Sequence, residues 1–252
     1  MIYYQKAIER GKVVPTMPRR FLEHLGRVDS IENHTFLPHT LSPGSIVVDL
    51  GANTGFFARE IAARYGVRSY GIEANPSLCA SLENTSLTTY HNIAIAGIDG
   101  PIELNLSEDH TSSSVVARDV PNRKGSVVVP GMTFQSFLLA GKIDAVDLLK
   151  VDIEGAEVVL FESLPDAAIL ALPQITIEFH DDHGFITRRQ FTDIHRRLTV
   201  LGFTGIQFAS NNTNWLFYQS QRVKVGTLQT GYIRHLVRNV RGATRRLGFR
   251  SK

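Results

Sequence analysis

The sequence contains one cysteine and no long apolar run, and residues 222–252 contain no acidic residue. Cys79 has no partner for an internal disulfide, so we expect a reducing compartment and not a disulfide-stabilised secreted domain. No apolar stretch approaches the roughly 20 residues that cross a bilayer, which predicts the absence of a transmembrane helix. The first eleven residues, MIYYQKAIERG, have charges that interrupt any apolar core. We therefore expect no signal peptide and a cytoplasmic location.

The net charge of +3 is the sum of an acidic part and a basic part of the chain. Residues 222–252 hold nine lysines and arginines, whereas residues 1–221 hold 18 basic and 24 acidic side chains. Residues 231–249 also place apolar side chains on one side of a predicted helix and arginines on most of the rest. Such a basic amphipathic tail is typical of a peripheral contact with an anionic membrane. Docking on the acidic body, a solvated tail and a nucleic-acid contact remain open.

Apolar residues make up 43% of the chain, enough to exclude disorder as its main state. From residue 45 onward, short apolar segments alternate with segments of helical period, which predicts a parallel sheet covered by helices on both faces. The polar loop at 210–214 indicates a final hairpin with an antiparallel last strand. Strands are predicted at residues 45–50, 67–72, 89–96, 146–151, 174–180, 203–209 and 215–218, and helices at 56–65, 76–87, 154–163 and 187–201.

The chain divides into three predicted parts. Residues 1–44 form an N-terminal cap with one plausible helix at 18–25. Residues 45–221 form a single domain with a β-rich insertion at 101–130, where apolar and polar residues alternate. Residues 222–252 form the basic tail.

A glycine-rich turn follows the first strand of this domain, in the segment VVDLGANTGFF at residues 47–57. Gly51 and Gly55 allow a sharp turn and a close ligand approach, and the amides at the following helix start can bind an anionic group. Glu73 ends the next strand, 22 residues after Gly51, where an acid can accept both hydrogen bonds of a ribose diol. Asn53 replaces the second glycine of a dinucleotide fingerprint, which disfavours a pyrophosphate. An ordinary strand–turn–helix junction remains the alternative.

A second motif, VDLLKVDIEGAE, occupies residues 146–157. Lys150 and Asp152 share one strand face, as Glu178 and His180 do on the next strand. If the two strands are neighbours, we expect Lys150 to pair with Glu178, because neither tolerates burial alone. We expect Asp152 and His180 to meet at the carboxyl edge of the sheet.

These segments together resemble the FkbM-type methyltransferases, a family of class I enzymes that use S-adenosylmethionine. The resemblance covers roughly residues 40–218 and implies a Rossmann-like, doubly wound, mostly parallel seven-stranded α/β sheet with an antiparallel last strand. It also implies methylation of a hydroxyl on a sugar, glycolipid or other small molecule. It rests on VVDLGANTGFFA (47–58), YGIEANP (70–76), HNIAIAG (91–97), LLKVDIEGAE (148–157) and ITIEFH (175–180).

The resemblance also implies roles for individual residues. Asp152 would lie beside the methyl group, and S-adenosylmethionine would be held by Asp49, Gly51, Asn53, Gly55, Glu73, Asn92 and Ala94. Methyl transfer to a hydroxyl needs a general base within hydrogen-bond reach, and the candidates are Asp152, His180 and Glu154. The run HDDH at residues 180–183 contains possible ligands for a divalent metal, but adjacent residues rarely point inward together, so a solvated loop is preferred.

Three other functions stay open on the sequence. A nucleic-acid methyltransferase would use the basic tail, but the Asn/Asp-Pro-Pro-aromatic run of base-amino methylases is replaced by Asp152-Ile153-Glu154-Gly155. A nicotinamide oxidoreductase is disfavoured by Asn53. A binding protein that keeps the cofactor fold without catalysis is the third alternative, against which Glu73 and Asp152 argue.

Overall fold

A mostly parallel sheet of seven strands forms the centre of the protein. The computed structural model describes residues 5–9, 12–16, 28–107, 123–180, 185–208 and 213–237. The predicted helix at 18–25 lies outside these residues, as do residues 210–212 of the polar loop and the end of the basic tail from residue 238. Among the described residues, no helix combines the length and the apolar character needed to cross a bilayer.

The described strands are β1 (Gln5–Glu9), β2 (Lys12–Thr16), β3 (Asp29–Ile31), β4 (His34–Phe36), β5 (Ile46–Leu50), β6 (Arg68–Ile72), β7 (Thr88–His91), β8 (Ala94–Ile95), β9 (Gly100–Ser107), β10 (Arg123–Met132), β11 (Leu148–Val151), β12 (Gln174–Glu178), β13 (Thr204–Gln207) and β14 (Asn214–Tyr218). The α-helices are α1 (Phe56–Tyr65), α2 (Pro76–Cys79), α3 (Phe134–Ala140), α4 (Glu157–Ser163), α5 (Asp166–Ala171), α6 (Arg188–Val200) and α7 (Thr227–Tyr232). Short 3-10 and π turns occupy Pro38–Thr40 and Ile233–Val237.

The central sheet has the order β13-β14-β12-β11-β5-β6-β7. Strands β7, β6, β5, β11 and β12 are parallel, and β14 pairs antiparallel with both β12 and β13. The predicted doubly wound sheet, its seven strands and its antiparallel last strand are confirmed. In this topology, the carboxyl ends of β5 and β11 lie side by side at the centre, where α/β sheets bind their ligands.

The two faces of the sheet differ in character. One face is mainly apolar: Val48 and Leu50 of β5 join a large core with helices α3 to α6. On the other face β5 alternates Val47 with Asp49, and α1 packs there together with the β3–β4 hairpin. The N-terminal cap therefore covers the face on which the sheet carries its polar side chains.

Three predicted elements end or begin elsewhere. The predicted helix 76–87 is only α2, because the side chains of Asn84 and Thr85 accept backbone amides of the strand that follows and compete with the helix. The predicted strand 89–96 is divided between β7 in the central sheet and β8, which pairs with β10. The predicted helix 154–163 begins at Glu157, since Glu154 and Gly155 have positive φ angles of 50° and 97°.

The insertion and the tail join the body in different ways. The segment predicted as a β-rich insertion at 101–130 contributes to the antiparallel pair β9–β10. Residues that follow β14 fold back on the sheet, and Val223, Val225 and Ile233 are buried against Leu37 and Tyr218. The beginning of the basic tail thus packs on the domain and on the N-terminal cap.

Candidate functional site

The site begins at the glycine turn between β5 and α1. Gly51 has a φ of +81°, and a Cβ atom at this position would overlap the carbonyl oxygen of Asp152. Its amide and that of Ala52 both donate to the carbonyl of Ile72 at 2.9 Å. The sequence suggested that this glycine makes room for a ligand. The structure adds that the ends of β5 and β11 approach so closely that only glycine fits between them.

Glu73 lies at the end of β6, beside this turn, and is 7% exposed. Its Oε2 accepts the amide of Asn53 at 2.7 Å, and its Oε1 accepts the amide of Asn75 at 2.8 Å. Burial raises the pKa of this carboxyl against the opposing effect of the two amide hydrogen bonds. Each carboxylate oxygen can accept a further hydrogen bond. Glu73 is therefore held rigidly with acceptor capacity left for a diol.

An open cavity, whose empty space of about 610 Å³ includes the solvent at its mouth, joins these groups. Of the residues predicted to bind a cofactor, Gly51, Asn53, Glu73 and Ala94 line it, and Asp152 and Glu154 lie at the same cavity. One part of its lining is apolar and suits a flat heterocycle. The sequence did not single out the side chains of that apolar part, which are Ile72, Leu78, Ile93, Ile95 and Leu104.

The other three predicted cofactor residues, Asp49, Gly55 and Asn92, do not line the cavity and instead contact the segments around it. Asp49 is fully buried beneath the turn. Gly55 precedes α1, and its carbonyl accepts a hydrogen bond from the hydroxyl of Tyr90 at 3.0 Å. The Nδ2 of Asn92 donates to the carbonyls of Glu73 and Ala74 at 2.9 and 3.1 Å, so this side chain braces the strand end that carries the acid.

Lys150 connects the turn to the second motif. Its Nζ lies 2.9 Å from Oδ1 of Asp49 and 3.4 Å from Oδ2 of Asp152, and it donates to the carbonyl of Gly51 at 2.6 Å. Burial alone would lower the pKa of Lys150, but the two carboxylates hold it above its ordinary value. The predicted Lys150–Glu178 pair is wrong. In the parallel register Lys150 lies opposite Asp49 on β5 and opposite Thr176 on β12, so Glu178 stands two residues farther along.

Asp152 is the centre of the catalytic candidates. Its Oδ1 lies 3.5 Å from Nε2 of His180, so the two residues meet at the carboxyl edge as predicted. Its Oδ2 lies 3.5 Å from Nε2 of His34, which comes from β4. Burial alone would raise the pKa of Asp152, but Lys150 and the two histidines hold it well below its ordinary value.

Two glutamates also lie close to His180. Its Nδ1 donates to Oε1 of Glu157, which is fully buried, at 2.8 Å. Its Nε2 lies 3.5 Å from Oε2 of Glu154. Burial alone would lower the pKa of His180, but Glu157, Glu154 and Asp152 raise it to about 10. Burial raises the pKa of Glu154 to about 7, against the lowering effect of His180.

Sequence reasoning missed His34 and the position of Glu157. His34 is 2% exposed and packs edge-on against Phe57, in a cap for which no motif was available. Glu157 belongs to the EGAE motif, which was the only signal that could have found it. Two groups of described side chains could hold a metal, namely His34, Asp152 and Glu178, and Asp152, Glu154 and His180. Of the HDDH run, only His180 is among the described residues.

Comparison with known proteins gives one family. The model described as "Methyltransferase FkbM domain" matches residues 49–204, which include the glycine turn, Glu73 and the whole second motif. Comparison with curated protein sequences gives no match.

Several solved structures resemble the chain in fold at low identity. A TehB-like S-adenosylmethionine-dependent methyltransferase from Corynebacterium glutamicum is 13% identical, with 79% of this chain and 93% of that chain covered and a TM-score of 0.39. A human methyltransferase 10 domain containing protein is 10% identical over 79% and 77%, with a TM-score of 0.40. Fibrillarin from Aeropyrum pernix, with natively bound S-adenosyl-L-methionine, is 12% identical over 71% and 67%, with a TM-score of 0.38.

Proposed function

The chain belongs to the FkbM methyltransferase family and is an S-adenosylmethionine-dependent methyltransferase, and from this premise we propose that it methylates a hydroxyl group of a sugar, glycolipid or related small molecule. The observation that carries the proposal is the group of Asp152, Glu154 and His180, which stands at the cavity that Glu73 borders on its other side.

The cavity fits the methyl donor in three respects. Glu73 has acceptor capacity for the ribose diol, and the apolar side chains around Ile93 and Leu104 suit the adenine. Gly51 lines the cavity and has no side chain that would occupy it. When bound, S-adenosylmethionine would supply a sulfonium methyl group for in-line transfer to the acceptor oxygen, with the carbon–sulfur bond breaking and S-adenosylhomocysteine leaving.

Glu154 is the preferred proton acceptor among the three candidates. His180, with a pKa of about 10, carries a proton at neutral pH. Asp152 has a lowered pKa, which makes it a weak base. The pKa of about 7 at Glu154 matches the operating pH that general-base catalysis favours. Asp152, held by Lys150 and the two histidines, is suited to orienting the acceptor or the donor.

A polyhydroxyl acceptor is supported by the polar groups on the rim. Glu154 and Glu178 are partly exposed carboxylates on either side of Asp152, with side chains 23% accessible in each case. Carboxylates accept hydrogen bonds from several hydroxyls at once, as sugar recognition requires.

Two measurements test the function. Calorimetry compares S-adenosylmethionine, S-adenosylhomocysteine and NAD, and we expect the first two to bind and NAD not to bind. Transfer of a labelled methyl group is then measured to monosaccharides, glycolipids and short oligonucleotides, with the label expected in a sugar-containing acceptor. Binding of NAD alone contradicts methyl transfer. Label found only in oligonucleotides contradicts the proposed acceptor class.

We also propose that the end of the basic tail contacts an anionic surface. Residues 238–252 contain six lysines and arginines and no acid. Since Val223, Val225 and Ile233 pack on the body, the informative truncation begins at residue 238 and not at 222. Flotation with anionic vesicles should fall after this truncation and stay low with neutral vesicles for both proteins. Equal flotation of the two proteins with anionic vesicles contradicts the contact.

A further inference from the structure

One imidazole nitrogen and two carboxylate oxygens come together at the edge of the cavity. The Nε2 of His180 lies 3.5 Å from Oδ1 of Asp152 and 3.5 Å from Oε2 of Glu154. One possible ligand atom from each of these three residues lies within 4.8 Å of the other two. They come from the ends of two neighbouring parallel strands and from the turn before α4, so the sheet itself sets their spacing.

The spacing of these atoms is typical of ligands around one cation. Hydrogen bonds to nitrogen have lengths of about 2.7 to 3.2 Å, and 3.5 Å is longer. Two ligand atoms that each lie about 2.1 Å from one ion are about 3.0 to 3.4 Å apart in octahedral or tetrahedral geometry. The two distances from Nε2 of His180 are therefore close to those between ligand atoms that share a metal ion.

His180 also has the outer partner that a metal-binding histidine usually has. Its other ring nitrogen, Nδ1, donates to the fully buried Glu157 at 2.8 Å. This arrangement fixes the ring so that Nε2 faces the two carboxylates, as in carboxylate–histidine–metal triads. The second oxygen of Glu157, Oε2, is buried and has no hydrogen-bond partner among the described residues. A carboxylate on Nδ1 makes Nε2 of the same imidazole a better metal ligand.

Asp152 belongs to both groups that could hold a metal, and its contacts favour the group with Glu154 and His180. The Oδ2 atom faces His34 and Glu178, but Nζ of Lys150 lies only 3.4 Å from it. A second cation beside that buried ammonium would be repelled. The Oδ1 atom points instead toward His180, and Asp152 and Glu154 both border the cavity, from which water or an acceptor can complete the coordination.

We propose that Asp152 Oδ1, Glu154 Oε2 and His180 Nε2 bind one divalent metal ion. One imidazole with two carboxylates suits Mn²⁺ or Zn²⁺. The ion takes the place of the proton that otherwise lies between Nε2 and the carboxylates. The binding of the ion does not depend on the proposed function, but its role does. In methyl transfer the ion would polarise the acceptor hydroxyl, and Glu154 would both bind the ion and accept the hydroxyl proton.

Metal binding is measured without donor or acceptor, so that the result does not depend on the methyl-transfer proposal. Purified protein is treated with a chelator, dialysed and titrated with Mn²⁺, followed by the electron paramagnetic resonance signal of the free ion, and with Zn²⁺ by calorimetry. We expect one ion per chain. The variants E154Q and H180Q should lose affinity at least tenfold, because each removes one ligand.

Two control variants locate the ion. E178Q changes the other group around Asp152, and D193N changes an exposed carboxylate on α6 that pairs only with surface arginines. Both should keep wild-type affinity. Circular dichroism and urea unfolding of each variant show that its fold is intact. Absence of binding by both ions overturns the site, as does equal binding by wild type, E154Q and H180Q, or loss in E178Q alone. Failure of the donor to bind contradicts the proposed function and leaves the metal result standing.

Discussion

The Nζ atom of Lys150 and the Oδ1 atom of Asp49 lie 2.9 Å apart, on directly opposed residues of neighbouring parallel strands, with both side chains buried. The pair lies directly under the glycine turn and also reaches Asp152. Lys150 therefore neutralises a buried carboxylate of the central sheet and also contacts a carboxylate of the site. A lone buried charge in this position is far costlier than the pair.

The first prediction concerns this pair. K150M leaves Asp49 buried without its cation and should lower the free energy of unfolding by about 3–5 kcal/mol. The matched control is R196M, which removes an exposed partner of Asp193 and should cost less than about 1 kcal/mol. Urea unfolding measures both. The double variant D49L/K150M should recover part of the loss, and a K150M cost as small as that of R196M contradicts the argument.

The second prediction separates backbone strain from steric overlap in the glycine turn. G44A places a side chain at a φ of +94° with no heavy atom within 4 Å, and should cost about 1–2 kcal/mol. G51A meets the same strain and also overlaps the carbonyl of Asp152. It should therefore cost more and should displace Asp152, which lowers turnover. Urea unfolding and methyl transfer are measured for both. Equal stabilities would show that β5 and β11 separate without penalty.

The third prediction concerns donor binding. E73Q keeps the shape of the side chain and removes its charge, so affinity for S-adenosylhomocysteine should fall about 10- to 100-fold, the equivalent of a charge-assisted hydrogen bond of about 1.5–3 kcal/mol. E60Q, on the exposed side of α1, is the control and should bind normally. Calorimetry checks both. Wild-type affinity in E73Q would exclude a ribose contact at this carboxylate.

The fourth prediction concerns the proton acceptor. Glu154 must be ionised to accept a proton, so turnover in chelated buffer should rise with pH through about 7. E154Q should lose this limb and about 10²- to 10⁴-fold in turnover, with donor affinity unchanged. E162Q, an exposed acid on α4, is the control. If E154Q retains the rising limb, another group is the base.

The fifth prediction concerns the pH dependence of stability. The pKa of His180 is raised in the folded protein to about 10 from an ordinary 6.5, so the folded state holds this proton more tightly than the unfolded state. Its contribution is complete below pH 6.5 and is lost as the pH rises through 10. Wild type should therefore lose more stability than H180Q between about pH 6 and about pH 9.5 in urea unfolding.

H195Q is the control for this pH dependence. Burial lowers the pKa of His195, so its effect on stability falls in the acid range instead. The alkaline loss of stability should therefore be the same in H195Q as in wild type. An alkaline loss that persists unchanged in H180Q would show that another group causes it.

Much of the fold follows from local patterns. The strand and helix periods predicted the seven-stranded sheet, and the antiparallel last strand followed from the polar loop before it. The errors occurred where side chains compete with the backbone. Asn84 and Thr85 accept amides that a longer α2 would have needed, and Glu154 adopts a positive φ that a helix excludes. Single-residue hydrogen bonds of this kind leave no periodic trace in a sequence.

The sequence by itself determined the glycine turn, the acid at Glu73 and the group of Asp152 and His180, because strand ends in a parallel sheet share one edge and motif spacing places their residues there. Only the tertiary structure decided which charge Lys150 neutralises, since that depends on register between strands about 100 residues apart. It also brought His34 from the unread N-terminal cap onto Asp152 and placed Glu157 behind His180. These contacts join segments that are distant in sequence, and they arise only when the chain packs.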